Sequence, residues 1–302
     1  MKKIAQAGAL AVIIAALLWS IDGLLRRHLY SLPPSVIVFW EHLLGLVFLV
    51  PFLLKTREKF GELTRKQWWA MGLVALLSGA LGTILYTAAL GQINFINFSV
   101  VVLLQQLNPI FAIATAAVLL REKLSKQFIL LSVIALAGAY LVSFPDMRVN
   151  LDTGKGTLIA ALYAAGAAAS WGIGTAFSKY ALKGTSYPHV TAARFGLTAV
   201  LSLFFVIGSG SASAISALTQ TQFFYLLAIT FSTGQVALLI YYYGLQRVAA
   251  SRAAILELAW PLSAVIIGWL FLSQGLTLTQ ALGAITLLAT TYLLVSSNNE
   301  IT

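Results

Sequence analysis

Residues 100–109 read VVVLLQQLNP, and residues 253–261 repeat the same pattern as AAILELAWP. An offset of 152 residues relates the two copies, which pairs Gln105 with Glu257, Asn108 with Trp260, and Pro109 with Pro261. Spacings of three and four residues place these side chains on one face of a helix. Because proline removes a backbone donor, Pro109 and Pro261 are predicted to weaken the two helices at equivalent places.

The composition indicates a membrane protein. Hydrophobic residues make up 60% of the 302 residues, charged residues make up only 9%, and the mean hydropathy is +0.90. These values exclude a soluble domain, which needs a charged surface. The net charge of +10 is spread over short loops, so no nucleic-acid partner is expected. Cysteine is absent, which excludes disulfides and thiolate metal sites.

Spanning helices need about 20 mostly apolar residues. Ten stretches meet this length, near residues 5–25, 35–54, 68–90, 97–120, 127–145, 156–178, 189–208, 222–244, 251–272 and 278–296. If the N-terminus is cytoplasmic, 14 of the 19 lysines and arginines fall in cytoplasmic loops. The pair Arg26–Arg27 is the main exception. We therefore predict a multi-pass protein of the cell (inner) membrane with both termini in the cytoplasm.

The two halves of the chain repeat each other. Trp19 in LLWSIDG corresponds to Trp171 in ASWGIG, and Tyr140 to Tyr292, at the same offset of 152 residues. The third segments align at a different offset, through Ala89-Leu90 and Gly244-Leu245. Five segments per half invert the second half relative to the first. The predicted fold is an all-α integral membrane protein with ten transmembrane helices in two inverted five-helix repeats, residues 1–148 and 149–302.

This pattern resembles the EamA-type carriers of the drug/metabolite transporter superfamily. The resemblance covers essentially the whole chain. It rests on the two tryptophan motifs, on Pro188 and Arg194 in YPHVTAARF, and on QQLNPIFAIATAAVLLREKL with its echo LAWPLSAVIIGWLFLSQGL. Two positions depart from the family pattern: Glu41 stands near a usual arginine, and Gln274 replaces the acid present in the first copy as Glu122. The resemblance implies transport of small metabolites, such as amino acids, aromatic compounds, quaternary amines or sugar phosphates.

Three acids fall inside predicted segments, where a charge is costly unless it meets a partner or a wet cavity. Asp22 shares a helix face with Trp19, and Glu257 shares one with Trp260. Either acid could form a structural ion pair, for instance with Arg194, or could bind an ammonium group or a proton. Glu257 and then Asp22 are the proton-coupling candidates. Glu41 lies near a segment end, where it could be interfacial or pair with His42.

Aromatic and amide side chains complete the predicted substrate site. Aromatic faces attract cations and stack on flat solutes. The predicted substrate-binding residues are Trp19, Asp22, Tyr86, Gln105, Asn108, Trp171, Tyr241, Tyr242, Glu257 and Trp260. One of Gln105 and Gln106 is expected to make only a helix–helix hydrogen bond. The remaining aromatic residues of interest are expected to face lipid or the membrane interface, namely Trp68, Trp69, Tyr163, Trp269 and Phe271.

The sequence favours a secondary active transporter, most of all a proton-coupled exporter of amino acids or aromatic metabolites. A carrier for a cationic solute such as choline is the alternative. Few interior basic residues disfavour sugar phosphates. No nucleotide-binding, dinucleotide or HExxH motif occurs, and the histidines lack metal-ligand spacing. We therefore expect no enzyme activity, cofactor or metal. The expected partners are a small-molecule substrate, the lipid bilayer and protons, with the chain a monomer or weak dimer.

Overall fold

The computed structural model describes residues 2–56, 61, 63–92, 104–148, 157–263, 266, 275 and 277–296. Helices account for most of these ranges, and no strand occurs in them. Long apolar runs become helices in lipid because a helix satisfies its backbone N–H and C=O groups within the segment. The predicted all-α class is confirmed.

The helices follow the predicted segments closely. In the first half they are α1 (Lys2–Trp19), α2 (Asp22–Arg26), α3 (Pro34–Lys55), α4 (Arg65–Val74), α5 (Gly82–Gln92), α6 (Asn108–Thr115) and α7 (Lys126–Ser143). In the second half they are α8 (Thr157–Ala181), α9 (Tyr187–Gly208), α10 (Gln220–Ile229), α11 (Gln235–Leu245), α12 (Ala250–Leu256) and α13 (Leu278–Ser296).

Eight candidate spans are long and apolar enough to cross a membrane within the described ranges. A shorter apolar helix, Asn108–Leu120, belongs to the fourth predicted segment. The beginning of that segment and much of the ninth lie outside the described residues, so the count of ten remains a prediction.

The fourth and ninth segments are interrupted just before their prolines. Turns replace regular helix at Gln106–Leu107 and at Glu257–Leu258. Leu107 N donates to the Leu104 carbonyl at 3.1 Å, and Leu258 N to the Ile255 carbonyl at 3.1 Å, so both turns use contacts three residues apart. The breaks leave polar side chains at equivalent places in the two halves.

The third segments of both halves carry the same irregularity. A π-helix joins α4 to α5 at Ala75–Leu81, and another joins α10 to α11 at Thr230–Gly234. A Thr–Gln capping box starts each segment, Thr64 with Gln67 and Thr219 with Gln222. Caps and π-helices are all related by an offset of 155 residues, the same offset that links Ala89-Leu90 to Gly244-Leu245. The repeat therefore extends to local backbone geometry.

The halves interlock by exchanging contacts between their first and third segments. Helix α1 packs on α11, and α8 packs on α5. The small-residue face of residues 160–174 lets α8 approach the break in the fourth segment, because a Cβ on Gly172 would lie 2.6 Å from the Asn108 carbonyl oxygen. Helices α7 and α13 pack together beside this core. Their backbones approach so closely that a Cβ on Gly283 would lie 2.7 Å from Val142 N. This arrangement leaves a cavity between the halves.

Candidate functional site

A cavity of about 220 Å³ lies between the two halves. The two interrupted helices and the first, second and third segments of both halves supply its walls. Nine of the ten predicted substrate-binding residues line it, together with both prolines: Trp19, Asp22, Tyr86, Gln105, Asn108, Trp171, Tyr241, Glu257, Trp260, Pro109 and Pro261. The residues selected from the sequence repeat thus meet in one place.

Two tryptophan–tyrosine pairs form matching walls. The ring centroids of Trp19 and Tyr241 are 5.1 Å apart with planes tilted by 53°, and those of Trp171 and Tyr86 are 5.1 Å apart with a tilt of 52°. Each pair joins the first segment of one half to the third segment of the other. The tyrosines are related by the offset of 155 residues and the tryptophans by that of 152. The cavity therefore presents two aromatic surfaces of the same geometry.

Glu257 occupies the break in the ninth segment and is held by neutral groups. Tyr241 Oη donates to one carboxylate oxygen at 2.5 Å, and Asn108 Nδ2 donates to the other at 3.4 Å. The carboxylate forms no ion pair with any described residue. The suggested pairing with Arg194 does not occur, because the Arg194 guanidinium instead donates to Tyr242 Oη at 3.0 Å. Glu257 thus faces the cavity without a cationic partner among the described residues.

Asp22 and Glu41 share one buried arginine. Arg26 Nε and Nη2 donate to the Asp22 carboxylate at 2.7 and 3.0 Å, and both terminal nitrogens donate to Glu41 at 3.2–3.3 Å. Thr87 accepts a further bond from Arg26, and Thr233 donates to Asp22 at 2.7 Å from the second half. This cluster corrects two expectations. Arg26 is 2% exposed rather than a loop cation, and Glu41 pairs with Arg26 rather than with His42.

Other expectations are also corrected. Tyr242 is fully buried behind the wall and does not line the cavity, since neighbouring residues on a helix point about 100° apart and Tyr241 takes the inward direction. Gln105 and Gln106 both bond across helices, to the carbonyls of Ala164 and Ala139. Tyr163 packs partly buried in the cluster around Tyr86 instead of facing lipid.

The lipid-facing group includes two tryptophans with large exposed surfaces. Trp69 is 69% exposed and Trp68 is 39% exposed, as expected for side chains at the outside of the helix bundle. Trp269, Phe271 and Gln274 lie outside the described residues.

Several lining residues were not selected from the sequence, notably Arg26, Arg194, Ser78, Thr175 and Thr233. Two features of the sequence point to some of these residues. Arg26 follows Asp22 by four residues, the spacing of an ion pair on a helix, and it was the exception to the loop charges. Ser78 and Thr233 are related by the offset of 155 residues within the two π-helices.

Cavity charges comprise three carboxylates and two arginines among the described residues.

Comparison with known proteins agrees with this architecture. The model of the EamA-like transporter family matches residues 6–144 and 158–296. A riboflavin transporter, ImpX, of Fusobacterium nucleatum is 34% identical over 280 residues, covering 92% of this chain and 94% of the relative. An uncharacterized transporter, YoaV, of Bacillus subtilis is 25% identical over 279 residues, covering 91% of this chain and 92% of the relative.

A solved crystal structure with 17% sequence identity shares the fold, with a TM-score of 0.72 over 97% of this chain and 98% of that chain. The two matches of the family model fall on the two halves of the chain, which confirms the resemblance seen in the sequence. The chain is therefore a multi-pass membrane transporter and belongs to the EamA-like transporter family.

Proposed function

We propose that this transporter carries a flat heteroaromatic metabolite of the flavin type, riboflavin in particular. The observation that carries the proposal is the pair of matching aromatic walls, Trp19 with Tyr241 and Trp171 with Tyr86. Stacking of an aromatic side chain on a planar ring contributes binding free energy. In nucleic-acid sites this contribution is about 1–3 kcal/mol per stacked base. The riboflavin transporter with 34% identity over nearly the whole chain supports the same solute class.

The polar groups of the cavity suit the rest of a riboflavin molecule. Its ribityl chain carries several hydroxyls, which both donate and accept hydrogen bonds. Asn108 and Glu257 lie at the breaks of the fourth and ninth segments, and the Asn108 Oδ1 atom is buried with no hydrogen-bond partner among the described residues. A substrate hydroxyl can donate to this oxygen or to the Glu257 carboxylate. The cavity thus combines aromatic walls with hydrogen-bonding groups, as small-molecule sites commonly do.

Flux measurements test the proposed solute. Purified protein in liposomes should move riboflavin with saturable kinetics and well above the leak of protein-free liposomes. Tryptophan and choline are measured in parallel at the same concentrations. If tryptophan or choline moves and riboflavin does not, the flavin proposal is wrong. In that case the solute belongs to the amino-acid or the quaternary-amine class.

Proton-coupled export of an aromatic amino acid is the second candidate. The cavity holds one acid and one base that lack ionic partners among the described residues, Glu257 and Arg194. Such a pair is complementary to the ammonium and carboxylate groups of a zwitterion. The choline alternative has less support, because Asp22 and Glu41 are already occupied by Arg26. Aromatic walls fit all three solute classes, so the flux panel decides among them.

The proposed location is the inner membrane, with both termini in the cytoplasm. The chain has no native cysteine, so single cysteines report their side directly. Lys123 and Ser213 are both exposed and lie in loops predicted to be on opposite sides. In intact cells, a membrane-impermeant maleimide should label Ser213→Cys and should label Lys123→Cys only after the membrane is opened. Labelling of both variants from outside would contradict the predicted topology.

A further inference from the structure

Arg194 is a cation on the cavity wall that forms no direct ion pair with any described carboxylate. Its Nη1 atom donates to Tyr242 Oη at 3.0 Å, which is its one hydrogen bond within the described part of the chain. Its Nε atom is buried and has no hydrogen-bond partner there. None of the described carboxylates forms an ion pair with it. A charge inside a membrane is costly unless it meets a partner or a wet cavity, so such a position indicates a functional group.

The other arginine of the cavity, Arg26, differs from Arg194 in its hydrogen-bond partners. Arg26 is 2% exposed and holds Asp22, Glu41 and Thr87 at distances of 2.7–3.3 Å. Its guanidinium is surrounded by acceptors from its own protein. Arg26 therefore has little capacity left for a ligand, whereas Arg194 lines the cavity and has one side-chain hydrogen bond among the described residues.

Arg194 is also held in position. The Tyr242 side chain is fully buried and its hydroxyl lies 3.0 Å from Ser178 Oγ, so two helices fix the phenol that Arg194 contacts. The guanidinium carbon stands 5.7 Å from the centre of the same ring. A side chain that is already ordered loses less freedom when a ligand binds, which favours affinity. The buried tyrosine that sequence analysis placed on the cavity wall thus acts as a support for Arg194.

We propose that Arg194 binds two adjacent hydrogen-bond acceptors of the substrate. A guanidinium presents its donors as a planar fork, which matches paired acceptors such as two oxygens of an anion or a ring nitrogen beside a carbonyl. A flavin offers both kinds: the N1 and C2 carbonyl edge of the isoalloxazine ring, and the phosphate of flavin mononucleotide. The inference rests on the proposed function, because it assumes that a flavin occupies the cavity between the aromatic walls.

Binding titrations with three flavins test this role. Protein in lipid nanodiscs is titrated with lumiflavin, which has the ring alone, with riboflavin, and with flavin mononucleotide, using flavin fluorescence. Charge-assisted hydrogen bonds are worth about 1.5–3 kcal/mol, so Arg194→Gln should raise Kd about ten- to a hundredfold. Equal weakening of all three ligands places the ring edge at Arg194. Selective weakening of flavin mononucleotide places the phosphate there. Both results support the proposal.

Three further variants separate this role from structural damage. Arg194→Lys keeps the charge without the fork and should lose part of the affinity, and Tyr242→Phe should do the same by releasing the guanidinium. Arg247→Gln is the matched control, because Arg247 also lies over a tyrosine ring, 3.5 Å from the centre of Tyr243, but outside the cavity lining. Thermal unfolding of each variant reports folding.

Failure of the proposed function and failure of the role of Arg194 give different results. If the parent protein binds none of the flavins, the proposed function fails and the assignment of Arg194 fails with it. If the parent binds flavins and folded Arg194→Gln and Arg194→Lys bind all three as tightly, the proposed function stands and the role of Arg194 is overturned.

Discussion

Riboflavin should bind the Trp19→Ala variant about ten- to a hundredfold more weakly than the parent protein, since stacking on one aromatic ring is worth about 1–3 kcal/mol. The Trp19 side chain makes no hydrogen bond with described residues, and its aromatic contact is the Tyr241 ring at 5.1 Å. Its removal therefore takes away a cavity wall with limited loss of packing. Trp19→Phe keeps an aromatic face and should recover most of the affinity.

Fluorescence of the bound flavin measures this effect, because stacking against an indole quenches it. Trp69→Ala is the control: Trp69 is 69% exposed at the outside of the bundle, and its loss should leave the Kd unchanged. An equal loss of affinity in both variants would show that the tryptophans act through general packing. In that case the aromatic walls have no direct role in binding.

Trp171→Ala should lose affinity to a similar extent and should also lose stability. Trp171 Nε1 donates to the Ser78 carbonyl at 3.0 Å, at the π-helix of the third segment, and the ring lies against Gly82. Removing the indole leaves this carbonyl without its donor and opens space beside the π-helix. Thermal unfolding should therefore separate the two symmetry-related tryptophans even where their binding defects are alike.

The fold could be predicted because membrane insertion imposes a strong pattern on the sequence. Spanning helices follow from length and apolarity alone, and the repeat follows from pairs such as Trp19 and Trp171 at a fixed offset. The sequence could not show the π-helices of the third segments, since i→i+5 turns depend on tertiary packing. The offset of 155 residues does not reveal them either, because both halves carry the π-helix and the offset is the same before and after it.

The cavity residues were predictable where one helix face carries both a polar and an aromatic group. Contacts between segments were not, and Arg26 shows why. Its sequence position suggested a loop cation, yet α2 turns it inward between Asp22 and Glu41, from two different segments. The sequence also does not show which way the Tyr242 side chain points, because only packing decides which of two adjacent tyrosines faces the cavity. Helix periodicity selects candidates, whereas tertiary contacts assign their roles.

Glu257 is expected to be the site through which a pH gradient drives transport. Three carboxylates and two arginines line the cavity within the described residues, so full ionisation leaves one excess negative charge. Asp22 and Glu41 share Arg26, whereas Glu257 contacts only the neutral Tyr241 and Asn108 among the described residues. Taking up one proton at Glu257 removes the excess charge, and releasing it restores the charge. This is the exchange that proton coupling requires.

The substitution Glu257→Gln tests this with little change of shape. The amide oxygen still accepts from Tyr241, and the new NH₂ group can donate to the Asn108 Oδ1 atom, which has no hydrogen-bond partner among the described residues. In liposomes, riboflavin flux driven by a pH gradient should fall to the leak rate, while riboflavin binding stays within about tenfold of the parent because neutral hydrogen bonds are worth about 0.5–1.5 kcal/mol. Asp146→Asn, in an exposed loop, should keep both flux and binding.

Measurements from pH 5.5 to 8.5 give the decisive comparison for Glu257→Gln. Loss of pH-driven flux with retained binding supports proton coupling at Glu257. Loss of riboflavin binding at every pH instead indicates that the carboxylate accepts a hydrogen bond from the solute directly. If flux and binding both match the parent throughout, Glu257 is a structural acid. The coupling role then passes to Asp22, whose pairing with Arg26 and Thr233 joins the two halves.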